Sequence, residues 1–205
     1  MTPKAIDTHY NGYRFRSRLE ARWAVFFDVL CIKYEYEPEG LVLSDGTAYL
    51  PDFYLPGFHC YFEVKRASIQ GTPEGDEAIR KIRDYADRQD CAGMIAFGDP
   101  MDDNLTIHCQ EVDDGGGGSY CGRVTIGIHP ILHEPYLFAG HDNRDRSFFD
   151  SFGDDMKIIP MVSAEYGRYT QADFVNSRVL HARRLARQAR FEHGETPEIR
   201  RYPYA

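Results

Sequence analysis

Tyr49-Leu50-Pro51-Asp52-Phe53-Tyr54-Leu55-Pro56, followed after a short turn by His59-Cys60-Tyr61-Phe62-Glu63-Val64-Lys65, decides how this chain is read. The two runs are apolar and aromatic, are divided by Pro56-Gly57, and predict two adjacent β-strands. Pro51 cannot donate to a ladder, so it belongs at an edge or a bulge. Asp52, Glu63 and Lys65 stand among Leu, Phe, Tyr and Val, where a charge must find a counter-charge or a metal. On a strand of period two, Glu63 and Lys65 share one face and Val64 takes the other. A divalent cation would answer the demand of the two carboxylates.

Upstream, Leu19, Trp23, Phe26, Phe27 and Leu30 recur at three and four residues and predict a helix over about 17–31. Ser17 is its expected N-cap, and Glu20 completes a capping box. Before it, Tyr13-Arg14-Phe15-Arg16 alternates aromatic and basic residues, as an extended lead-in or a nucleic-acid contact does. Ile32 to Glu37 alternates as a strand, Leu41 to Leu43 resumes one, and Asp45-Gly46 is a hairpin turn. Between the flanking helices this predicts three or four antiparallel strands.

Downstream, Thr72 and Pro73 open a helix running to Arg88 with Ala78, Ile82, Tyr85 and Ala86 inward. Ala92 to Gly98 is a continuous apolar run, the pattern of a strand buried on both faces. A helix between two strands implies a crossover. Strands follow at Leu105–Cys109, Arg123–Ile128 and Tyr136–Phe138, and Gly140 to Asp155 is polar with a short amphipathic turn at Phe148, Phe149 and Phe152. Thr170 to Phe191 predicts one amphipathic helix, capped by Thr170, with Arg183, Arg184, Arg187 and Arg190 largely off its apolar side. The glycine run 115–118 marks a loop, dividing the chain into a core, 1–112, and an extension, 113–205, that ends in a basic amphipathic helix.

A glutamate one turn into the first helix, Pro51-Asp52 on a strand, then Glu63-Val64-Lys65 on its partner: this constellation resembles the PD-(D/E)XK nuclease superfamily, and the run from Phe15 through Lys65 looks like its small phage-encoded endonucleases. It is also similar in layout to transposon-end nuclease subunits. The likeness covers about residues 10–110. It implies an α/β (α+β) restriction-endonuclease-like αβββαβ core with a mixed central sheet, extended at its C-terminus. It implies Glu20, Asp52, Glu63 and Lys65 as catalytic residues. Asp52, Glu63, the Val64 backbone carbonyl and Glu20 would be the ligands of Mg²⁺ or Mn²⁺, which take hard oxygen donors. Lys65 is expected to stabilise charge on phosphorus more than to act as a base. Arg14, Arg16, Arg18, Arg22, Arg183, Arg184 and Arg187 are the expected phosphate contacts.

The activity so implied is endonucleolytic hydrolysis of DNA in phage or mobile-element DNA processing or recombination, with branched DNA among the substrates. The expected partners are DNA and a second copy in a homodimer, with no membrane and no organic cofactor. The alternatives are a non-catalytic nucleic-acid-binding module of the same fold, or an acidic protein that binds a host factor.

A net charge of −8 argues against coating nucleic acid non-specifically. The acidity sits in the middle: residues 1–65 carry −2, 66–169 carry −9 and 170–205 carry +3. Five scattered cysteines read as reduced thiols of a cytoplasmic protein, of the host cell if phage-encoded. The N-terminus shows no signal peptide and no apolar run is long enough to span a membrane. His108, Cys109, Cys121, His129 and His133 lack the paired spacing of a zinc site.

Overall fold

The computed structural model describes residues 7–102, 105–110, 119–139, 158–160 and 171–191. The expected turn at 148–152 and the glycine run lie outside them. The chain is mixed α/β; among the described residues there are an eight-stranded mixed sheet, three helices of twelve or more residues and a shorter helical turn.

Helix α1, Arg18–Leu30, begins where Ser17 accepts the Glu20 N–H and ends where Cys31 turns into the left-handed region at φ 59°. A hairpin of β1, Thr8–Tyr10, and β2, Tyr13–Phe15, precedes it. Next come β3, Glu35–Tyr36; β4, Leu41–Val42; β5, Ala48–Tyr49; β6, Phe53–Leu55; and β7, Cys60–Lys65. The strand expected over 32–37 is cut to two residues for a physical reason. Its partner β6 is bracketed by Pro51 and Pro56, which leave four residues between them, and β3 pairs with two of these, Phe53 and Tyr54. β4 and β5 form a separate two-stranded ribbon.

Helix α2, Pro73–Arg88, carries the chain from β7 to β8, Ala92–Phe97, which lies parallel to β7 in the register Glu63 with Ile95 and Lys65 with Phe97. β9, Leu105–Gln110, and β10, Ser119–Ile128, then add antiparallel strands, β11, Pro135–Ala139, follows, and β12, Ile158–Pro160, closes the order β12-β11-β10-β9-β8-β7-β6-β3. The boundary expected at 112 therefore falls between β9 and β10, which are hydrogen-bonded neighbours, so the later strands extend the same sheet.

The single helix expected over 170–191 is two pieces. A helical turn at Gln171–Phe174 stops, and the Asn176 side chain accepts the N–H groups of Arg178 and Val179 to start α3, Ser177–Gln188. Asn is as good an N-cap as Ser or Asp, so position 176 opens a new helix.

Alternation along β8 sorts the core. Met94 and Ala96 join the cluster beneath α1 and α3, whereas Ile95 and Phe97 join Ile69, Ala78 and Ile82 on the α2 side. Under α1, Phe27 meets Phe53 and Phe62 with ring centroids 5.5 and 5.2 Å apart. Val179, Ala182, Ala186 and Ala189 of α3 are buried in the same cluster. The sheet is thus covered on both faces, which leaves the strand ends as the place for polar chemistry.

Candidate active site

β6 begins at Phe53, paired with Phe62, so Asp52 leaves the ladder while β7 continues to Lys65. A fork opens between the strands. Within it the Val64 N–H donates to Asp52 Oδ2 at 2.7 Å, and the Asp52 N–H donates to Glu63 Oε2 at 3.3 Å. The two carboxylates are locked to each other's backbone, Asp52 only 4 % exposed and Glu63 3 %.

The Gly98 N–H donates to the Lys65 carbonyl, so residue 65 turns its peptide edge to β8. Residue 64, next in the alternation, turns its peptide to the fork, and its carbonyl points to the same edge as its N–H. The Val64 side chain packs in the cluster under α1, and Glu63 and Lys65 take the opposite face.

Burial raises the Asp52 carboxyl well above its ordinary range, and the neighbouring Glu63 charge adds to the shift. Burial alone would lower Lys65, but the charges of Glu63 and Asp52 outweigh it and its net shift is upward. Lys65 is therefore a cation, bonded through Nζ to Glu63 Oε1. Burial, then the Glu63 charge, also raises the Tyr49 phenol far above its usual value.

Glu20 faces this pair from α1, buried at 7 % exposure. Its Oε1 accepts from Ser17 Oγ at 2.6 Å, and its Oε2 accepts from the Tyr36 hydroxyl at 2.7 Å and the Arg16 N–H at 3.1 Å. The capping role and the position beside Asp52 coexist in one side chain. Tyr36, which the sequence reading missed as a site residue, ties the edge strand to the helix start. Its signal was its place on the apolar-alternating face beside Tyr34.

The arginines divide. Arg16 reaches Asp52 Oδ1 at 3.1 Å and Glu37 Oε1 at 2.6 Å. Arg14 pairs with Asp7 at the surface. Arg18 is half-buried on the first turn of α1, and Arg22 lies 3.8 Å from Asp99. On α3, Arg184 and Arg187 are exposed, but Arg183 is buried at 8 %, so it faces the core and not a ligand. An arginine three or four residues from Val179 and Ala186 falls on the apolar stripe, and its long stem lets it stay there.

Among the described residues, no three or more His, Cys, Asp or Glu side chains converge as a group able to hold a metal ion. All four oxygens of Asp52 and Glu63 accept from donors of the chain itself. The donor set nonetheless suits Mg²⁺ or Mn²⁺. Magnesium is ordinarily held by one or two carboxylates with the remaining positions left to water and substrate phosphate. Two carboxylates buried side by side call for positive charge. His108 serves elsewhere, its Nε2 2.9 Å from Asp87 Oδ1, and His129 Nδ1 accepts from the N–H groups of Ile131 and Leu132. No family model matches the chain, and no curated protein matches it.

Proposed function

We propose that the chain is a divalent-metal-dependent DNA endonuclease of the PD-(D/E)XK type, with a restriction-endonuclease-like core made of α1, β3, β6, β7, α2 and β8. The observation that carries this reading is the fork: Asp52 and Glu63 buried side by side, with a cationic Lys65 and the Val64 peptide edge turned toward them.

Asp52, Glu63 and the Val64 carbonyl would hold Mg²⁺ or Mn²⁺, with Glu20 behind them. When bound, the ion supplies Lewis-acid polarisation and offsets charge on the phosphate. Lys65, fixed by Glu63, places a positive Nζ where charge builds on the phosphoryl oxygens. Glu20 holds Tyr36 and the Arg16 backbone and so fixes the mouth of the fork. Hydrolysis forms one P–O bond to a water oxygen and breaks the P–O bond to the leaving sugar oxygen. One water proton ends on that oxygen and the other is released to solvent.

Supercoiled and branched DNA incubated with Mg²⁺ or Mn²⁺ tests the reading, with Asp52→Ala and Lys65→Ala as controls. Metal-dependent cleavage that both substitutions reduce at least about 100-fold supports it. Absence of cleavage, or cleavage indifferent to both, rules it out. The saturation of the carboxylate oxygens by internal donors favours a second reading, a binding module whose fork is only an ion-pair network. That module binds DNA without cutting it and is indifferent to metal.

A further inference from the structure

Arg16 is held differently from every other arginine near the fork. Its backbone is fixed, because its N–H is shared between Glu20 Oε2 and the Tyr36 hydroxyl, at 3.1 and 2.9 Å. Its side chain is about half exposed, 53 %, yet its tip lies on Asp52, whose side chain is 6 % exposed. The guanidinium spans two acids, with Nε on Glu37 Oε1 at 2.6 Å and one terminal nitrogen on Asp52 Oδ1 at 3.1 Å. The hydrogen bonds to the other three oxygens of the carboxylate pair come from β7 and from the residue just before β6: the Val64 peptide and Lys65, on the same strand as Glu63, and the Asp52 peptide. Among the described residues, the Arg16 tip is the cation that reaches Asp52 from a segment outside the central sheet. Of the two Asp52 oxygens, Oδ2 is held by a strand peptide and Oδ1 by a side chain, so Oδ1 is the one whose partner can leave without unpicking a strand.

We propose that Arg16 is a resident counter-ion of Asp52, exchanged for the divalent cation and then turned, on its fixed backbone and kept close by Glu37, to a phosphate of the nucleic-acid strand. This rests on the metal-dependent nuclease reading above. A guanidinium and a divalent ion gathered on one buried carboxylate oxygen repel each other, so the two compete. Once displaced, a half-exposed guanidinium with a planar fork of donors is suited to a phosphate.

Competition gives two effects of opposite sign. Mn²⁺ alone is titrated calorimetrically into the full chain without DNA, for the unsubstituted protein, Arg16→Gln and, as a control for loss of a distant surface charge, Arg80→Gln. Arg16→Gln is expected to bind Mn²⁺ about 5- to 10-fold more tightly, in the range of ordinary site-to-site coupling, and Arg80→Gln within about twofold of the unsubstituted chain. Arg16→Gln is also expected to lower kcat/KM for DNA about tenfold at saturating metal, because the phosphate contact is gone.

Mn²⁺ affinity unchanged or weakened in Arg16→Gln, with the unsubstituted chain binding normally, overturns the exchange alone and leaves the nuclease reading standing. No Mn²⁺ binding by any of the three overturns both. Tighter Mn²⁺ with unchanged kcat/KM overturns the turn to phosphate. Arg16→Met, which keeps the aliphatic stem, replaces the glutamine variant in each comparison if that variant fails to fold.

Discussion

Asp52 places the demands of stability and chemistry in opposition. Its carboxyl is raised by burial and by Glu63, so it binds a proton more readily folded than unfolded. A group whose folded pKa lies above its unfolded value stabilises below the unfolded value, and that contribution is lost as pH rises through the folded one. At neutral pH without metal, Asp52 is thus a burden on the fold. Asp52→Asn is expected to raise the melting temperature in chelator at pH 7.5 while reducing cleavage at least about 100-fold, the familiar exchange of activity for stability. Thermal melts of the two proteins in parallel decide it, and a lower melting temperature for the variant contradicts the charge argument.

His108 shows the reverse sign. Burial lowers it, and the Asp87 bond only partly restores it. Its contribution is present above the ordinary histidine pKa of about 6.5 and fades as pH falls toward the lower folded value. Between pH 7.5 and 5.5 the urea midpoint of the unsubstituted chain is expected to lose ground against that of His108→Asn, which isolates the histidine from the opposite contribution of Asp52.

Among the elements, α2 was legible to its ends, because Thr72 accepts the Gly75 N–H and Pro73 sits where its missing donor costs nothing. The start of α1 was equally legible from Ser17 and Glu20. The last helix was not. Its apolar pattern runs through 174 and 175, and only the short side chain of Asn176 reveals that the chain restarts there. β1 was missed because three residues carry no period, and β3 was overdrawn because a local alternation does not reveal that its neighbour is bounded by prolines. The turn after β8 depends on Gly98, at φ 104°, whose carbonyl accepts the Trp23 indole N–H at 3.0 Å. A Cβ there would lie 2.0 Å from Asp102 Oδ2. Gly98→Ala is expected to cost about 1–3 kcal/mol, read from chemical denaturation.

At the scale of the whole molecule, the fork was legible while the extent of the unit was not. Asp52, Glu63 and Lys65 announce themselves as charges in apolar strands. The pairing of β9 with β10 is set by contacts across the glycine run, and no local pattern encodes it. Nor does amphipathicity say which neighbour α3 covers; here it packs into the cluster under α1, and the Arg178 guanidinium reaches the Leu30 carbonyl at 3.3 Å. A chain cut at 112 loses the partner of β9 and uncovers α1. It is expected to lack a cooperative thermal transition, checked by circular dichroism against the full chain. Among the described residues no helix is long and apolar enough to cross a membrane.

The Val64 amide, inside a buried strand, is bonded to a carboxylate where its ladder neighbours are bonded to carbonyls. Its proton senses the charge on Asp52 directly. In a ¹⁵N-correlated spectrum the Val64 cross-peak is expected to move on addition of Mg²⁺ and on acidification, while that of Ile95, aligned one strand away with Glu63, holds its place. A single resonance would then report occupancy of the fork without any substrate being cut.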